Sequence, residues 1–280
     1  MGGTPSALEA AWAKHQRALH DLAALDEAVS RFLESGPYRV EVAFDAGSGW
    51  HVAKLRIGAE PPAALSVYVG ALAHQCYSAI NHVVWRLVER KMGARRANDQ
   101  KYKVALPLCK SPASFANSFT AKNVSKPARE LLESLQPYHR IGGRHPIVLL
   151  KELADADKHR VLAPSYGLGH LGDVLAGRAF TWDEAAASEP TLDRVLPRER
   201  DPFTVPDDSV KDGDTLVRIR FRCGNEEAKL AVWEQPAIEV IFESDSAGIT
   251  LTHLRSLVEA AHLYLARLAT LFPREVWPPT

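Results

Sequence analysis

Residues 62–92 read PAALSVYVGALAHQCYSAINHVVWRLVERKM, with no charge before Arg86. The stretch predicts one helix, about 45 Å long at roughly 1.5 Å per residue. Apolar or small residues lie on every side of its first two thirds, the pattern of a helix inside a domain. Ser66, His74, Gln75, Ser78, Asn81 and His82 make it too polar to span a bilayer. On the helical period, His74, Ser78, Asn81 and Trp85 share a stripe with Val67 and Ala71. Imidazole, hydroxyl and amide groups on a core helix need hydrogen-bond partners. The expectation is therefore a buried polar network along this stripe, and the site is sought there.

The chain around this helix has 280 residues, enough for one large domain or two small ones. Lys plus Arg and Asp plus Glu number 34 each, so no net charge draws the whole chain to nucleic acid or membrane. The distribution is uneven. Residues 1–85 sum to −2, 86–160 to +9, 161–250 to −8 and 251–280 to +1. A basic middle and an acidic second half imply either a basic binding face or two halves that neutralise each other; the second is the simpler expectation. Cys76, Cys109 and Cys223 are odd in number and widely spaced, which defines neither a disulfide framework nor a zinc site. No cofactor or metal is expected. The start, MGGTPSALEA, lacks a basic region followed by an apolar run, and no apolar run approaches about 18 residues. These features predict a reduced, cytoplasmic bacterial protein without membrane contact.

A first amphipathic helix is expected from Thr4-Pro5 or Ser6, with Glu9 completing a capping box, to Ser35-Gly36-Pro37. Residues 38–44 alternate with period two. Residues 45–49 form a turn, and 50–57 return as a second strand with a bulge near Lys54. Ser111-Pro112 opens a short helix through Phe119, and Ser125-Lys126-Pro127 opens another to Gln136. The next helix covers 147 to about 161 and ends in DADKHRVL. Residues 164–213 hold many Gly, Pro, Asp and Glu residues and read as a loop-rich insertion or mobile lid. Residues 215–222, 227–233 and 237–243 read as three antiparallel strands, the first with Arg218, Arg220 and Arg222 on one face. Leu251, Leu254, Val258, Ala261, Leu265, Leu268 and Phe272 define a last amphipathic helix, stopped by Pro273.

In DADKHR, Asp155 and His159 share a helix face, with Asp157, Lys158 and Arg160 around it. An Asp–His pair orients an imidazole for proton transfer. The plainer role is structural, with these side chains satisfying His74, Asn81 or His82. No ligand spacing supports a metal. The string GLGHLG at 167–172 matches a dinucleotide fingerprint, but no strand precedes it and no long helix follows, so it reads as a loop. Arg86, Arg90, Lys91, Arg95, Arg96, Lys101 and Lys103 gather at the end of the central helix, where its dipole favours cations. Together with Tyr102, Tyr138 and the strand arginines they suit an anion or a nucleic-acid backbone.

Gly70, His74, Tyr77-Ser78-Ala79-Ile80-Asn81-His82, Leu106-Pro107, Gln136-Pro137-Tyr138 and Asp157-Lys158-His159-Arg160 follow one another in this order. Over roughly residues 65–165 the set resembles a group of uncharacterised bacterial proteins common in actinobacteria. Their central helix has the form Gly-x-x-x-His-x-x-Arg-Ser-Ala-Leu-Asp-His. Its Arg and His are similar in turn to those of the HEPN superfamily, helical bundles whose ribonucleases hold the phosphate with Arg and move the proton with His. Here Tyr77 stands at the Arg position and Asn81 at the Asp position. Tyrosine cannot hold a phosphate by charge, so the resemblance does not bring cleavage at His82 with it. Arg255 and His262 repeat an Arg-x6-His spacing on the last helix, at a frequency that 22 Arg and 11 His produce by chance.

The fold read from the sequence is α+β. A helical bundle core surrounds the long central helix, and one antiparallel sheet joins the early hairpin to the three late strands. All of it forms a single domain over 1–280, with the insertion at about 164–213. The leading function is a HEPN-like module binding RNA or another anionic partner. The alternative is an enzyme or small-ligand binder with His82, His159 and Asp155 in a pocket between the central and DADKHR helices. His74, Asn81, Tyr77, Asp157, Lys158, Arg160, Arg255 and His262 are the candidate binding residues. A third reading is a homodimer formed through the first or last helix.

Overall fold

The computed structural model describes residues 7–140, 144–159, 162–168, 180–181, 190–194, 209–221, 231–232, 238–244 and 247–273. Among them are eight α-helices and antiparallel sheets, an α+β protein with a helical core. The chain divides into two compact units, each discontinuous in sequence. One holds Met1–Asp26, Ser66–Leu162 and Thr252–Thr280; the other holds Glu27–Leu65 and Ala163–Leu251.

The first unit is helical. Its axis is α2 (Ala64–Met92), the helix expected from 62–92. Leu72, Ala73, Cys76, Ala79, Ile80, Val83 and Val84 are fully buried, while Val67 is 66% exposed and His74 and His82 also face solvent. Of the polar stripe, Val67 and His74 are exposed, while Ala71, Ser78, Asn81 and Trp85 are half-buried, so the stripe is not the fully buried network expected of it. Gly93, at φ +85, breaks α2 from the short α3 (Ala94–Asp99), in a backbone region that suits glycine. Ser111 caps α4 (Pro112–Asn117) by accepting from the Ser114 N–H, and Ser118 caps α5 (Phe119–Lys122) by accepting from Ala121. The one helix expected across this stretch is therefore two. α6 (Lys126–Ser134) and α7 (Pro146–His159) follow within two residues of expectation. The last helix, α8 (Leu251–Ala269), buries Leu254, Leu257, Val258, Ala261, Leu265 and Leu268.

The first helix, α1 (Ala7–Glu34), belongs to the first unit up to Asp26 and to the second from Glu27. It ends as expected, with Gly36 at φ +67 donating to the Leu33 carbonyl.

The second unit carries the strands. β1 (Tyr38–Asp45) and β2 (Trp50–Ile57) form the expected hairpin, turned by Asp45, which accepts from the Gly47 N–H and the Ser48 hydroxyl. Of the three late strands only β7 (Thr215–Phe221) joins it; the sheet order is β1-β2-β7-β5, with β5 at Pro190–Arg194. β9 (Ile238–Ser244) lies in a second sheet ordered β10-β9-β3-β6, which includes β3 (Ala163–Leu168), β6 (Ser209–Val210) and β10 (Ala247–Thr250). β8 (Ala231–Val232) pairs with β4 (Phe180–Thr181). β3 to β6 all fall in the stretch read as a loop-rich insertion. They are short, and their pairing partners lie far away in sequence, so no local pattern announces them.

The hairpin pairs without the bulge expected near Lys54, its register running unbroken from Tyr38↔Ile57 to Asp45↔Trp50; the irregularity is in the β2–β7 pairing, whose register shifts between Ala53 and Lys54. The extra residue is on β7. Ala53 faces Val217 and Lys54 faces Thr215, which leaves Leu216 over. Leu216 is accordingly buried beside Leu55, Tyr166 and Val210, with Phe32, Tyr38, Val40 and Ile57 packed around them. The Tyr166 hydroxyl donates to the Ala59 carbonyl. Gly167, read as part of a loop, lies within β3; a Cβ there would come within 2.4 Å of Ile241 Cγ2.

Candidate functional site

The motifs that follow one another in sequence converge on an extended segment, residues 104–109. Asn81 of α2 accepts from the Leu106 N–H (2.7 Å) and donates to the Tyr77 carbonyl (3.1 Å). Thr120 donates to the Ala105 carbonyl at 2.7 Å. The buried Gln136 donates to the carbonyls of Pro107 (2.8 Å) and Leu132 (2.9 Å) and accepts from the Cys109 N–H (3.0 Å). An isolated extended segment has unpaired backbone groups, and these three side chains satisfy them. Asn81 and Gln136 are thereby committed to backbone, which explains their presence without a ligand.

The DADKHR end of α7 meets α2 at Gly70. An added Cβ on Gly70 would lie 2.0 Å from Asp157 Oδ1, so the glycine makes room for the carboxylate. Asp155 is held by Lys151 (2.5 Å) and Lys158 (3.5 Å). Partial burial pushes its carboxyl up, but the lysines outweigh that and hold it below the usual range. Tyr77 is half-buried near this cluster, and desolvation raises its phenol. His82 stands beside Lys14 and Arg86; partial desolvation and then these two cations lower its imidazole below its ordinary value. The His159 side chain and Arg160 lie outside the described residues. Asp155 thus meets lysines, and the expected pairing of Asp155 with His159 is outside what is described.

The remaining candidates serve α8. Arg255 pairs with Asp26 of α1 at 2.8 Å, and His262 packs its ring 5.1 Å from His15 and 6.2 Å from Trp12. His15 is only 3% exposed, and its Nε2 reaches the Val258 carbonyl at 3.4 Å. Tyr264 donates to the Leu135 carbonyl at 3.0 Å and lies 2.6 Å from His145 Nε2. These contacts join residues far apart in sequence, and no spacing signals them. Among the described residues no group of three His, Cys, Asp or Glu side chains could hold a metal. No helix among them is long and apolar enough to cross a membrane.

The basic cluster divides in two. Arg86 pairs with Glu89 at 2.5 Å. Arg90 donates to the Leu271 carbonyl (3.0 Å) and covers the Phe272 ring. Lys91, Arg95, Arg96, Lys101 and Lys103 are exposed, and no ion pair engages them among the described residues. The last four lie beyond the final turn of α2, where its dipole no longer accounts for them. In the second unit, Arg218 is close enough to Asp45 to help lower its carboxyl, after the Ser48 and Gly47 hydrogen bonds. Arg220 sits 5.9 Å over the Trp50 ring, and Arg222 lies outside the described residues.

Compared with known proteins, the chain matches no family model, no curated protein and no solved structure.

Proposed function

We propose that this chain is a cytoplasmic, HEPN-like helical module that binds RNA or another anionic partner and does not cleave it. The observation that carries the reading is the set of exposed cations from Lys91 to Lys103 that have no carboxylate partner among the described residues. Charge segregation supports it. The helical unit holds 21 Lys and Arg against 12 Asp and Glu, and the strand unit 13 against 22, so a neutral chain divides into +9 and −9. A unit of that charge attracts polyanions at low ionic strength. Against cleavage stand Tyr77 in place of a phosphate-holding arginine, Asn81 bound to backbone at both polar ends, and Asp155 already paired to lysines. The apolar stripes of α1 and α8 that would serve a homodimer are largely buried within the chain.

The test is binding of a labelled RNA oligonucleotide at low and moderate salt. Affinity should fall steeply with salt, and Arg95→Glu/Arg96→Glu should weaken binding while His82→Ala and His159→Ala leave it unchanged. Absence of binding at low salt overturns the reading, as does RNA turnover that His82→Ala abolishes.

A further inference from the structure

We propose that Tyr102 is a base-stacking platform, and that the partner of the basic surface is single-stranded nucleic acid. This rests on the cationic reading above and specifies its ligand. Tyr102 is 92% exposed, and it is the one aromatic ring among the large apolar side chains that the described residues leave in water; the others are Leu19, Val67 and Leu263. Lys101 lies over one face of this ring, and the other face is open to a flat partner.

Cations stand on either side of it in the chain. Lys101 Nζ lies 5.2 Å from the Tyr102 ring centroid, and Lys103 Nζ lies 6.0 Å from that of Phe119. Arg95 and Arg96 add charge from α3, and Asp99 is the one carboxylate in residues 90–103. A backbone that follows these cations carries its bases past the ring. Stacking on an aromatic side chain flanked by basic residues is the general means of holding single strands without sequence preference.

The platform is held rather than loose. Ala97 is fully buried and anchors α3. The Gln100 N–H then bonds to the Ala97 carbonyl (3.1 Å), Lys103 N–H to Gln100 (2.8 Å) and Val104 N–H to Lys101 (3.3 Å). Tyr102 therefore projects from a closed 3₁₀ turn, and little backbone order remains to be imposed on binding. A duplex keeps its base faces covered and meets only the cations. A sulfated polysaccharide has charge and no flat base. The ring is what separates these ligands.

The full-length chain would be titrated with labelled oligouridine and oligothymidine of about 12 nucleotides, with an RNA hairpin duplex and with heparin. Tyr102→Ala should weaken both single strands by about 5- to 100-fold, leave heparin binding unchanged and leave the salt slope intact, while Tyr102→Trp retains affinity. Lys101→Gln/Lys103→Gln should lower the salt slope by about one to two. If Tyr102→Ala binds single strands as the wild type does while the lysine variant loses them, stacking is overturned and the cationic reading stands. Tighter binding of the duplex, insensitive to Tyr102, also overturns stacking. Failure of every polyanion to bind at low salt overturns both.

Discussion

Asn81 stands out as a polar residue on the central helix and Gln136 as part of the Gln-Pro-Tyr motif, and the structure assigns both to one segment of backbone. Their chemistry was legible, since a buried amide needs partners. Their partners were not, because the bonded groups are peptide N–H and C=O, which every residue carries. Gly70 is similar. A glycine inside a long helix suggests a close approach, but nothing local says that Asp157 makes it. Gly70→Ala should cost about 1–3 kcal/mol by crowding the carboxylate. Asp157→Ala alone should cost little, and adding it to Gly70→Ala should restore most of the loss. Denaturant titration of the four proteins of this cycle checks it, and additive effects would mean that the two residues are not coupled.

Among elements, the positions of the longer helices followed from periodicity and caps to within a few residues, while α3 lies in a polar stretch that reads as a loop, and the docking of the helices depends on contacts no pattern shows. α8 is tied to α1 by His15 at the Val258 carbonyl and by Arg255 with Asp26, and to the end of α6 by Tyr264 at Leu135. His145, in contact with Tyr264, is pushed from 6.5 down to about 4 by burial and then by the charge of Arg140. Burial, followed by His262, lowers His15 as well. Both stay neutral in the folded chain at pH values where the unfolded chain takes up the proton. Their contribution is therefore intact above about pH 6.5 and is lost as pH falls, for His145 down to about 4. His145 accounts for roughly 1–2 kcal/mol of that loss after allowance for solvent screening. Denaturation midpoints measured between pH 7.5 and 4 should fall in the wild type and fall less in His145→Gln. Equal pH dependence of the two proteins would remove His145 as a source.

For the whole molecule, discontinuity is the dominant fact: the helical unit is assembled from three pieces of chain and the strand unit from two. Deletion of residues 252–280 should therefore abolish the cooperative unfolding of the helices, although α2 and α7 remain in the chain. It removes the buried side chains of α8 and the partners of His15, Asp26, Leu135 and Arg90. Far-ultraviolet circular dichroism during heating checks this, and a sharp helical transition in the truncated chain would show that α8 is dispensable. The +9 and −9 charges of the two units were already visible as a basic middle and an acidic second half.

By itself the sequence determined the α+β class, the central helix, the hairpin, the last helix and the segregation of charge. Each depends on interactions among residues close along the chain: periodic burial, capping, turn chemistry and the simple count of charges. Tertiary structure alone decided that His74 and His82 of α2 face water while Asn81 bonds to the Leu106 N–H, that short strands within 163–210 complete two sheets with partners far along the chain, and that Leu216 is the bulged residue. It also separated the basic residues used within the fold, Arg86 and Arg90, from those left at the surface around Tyr102. Which face of a helix is buried, and which cation finds a partner, depends on what packs against it, and that is set by segments tens to hundreds of residues away.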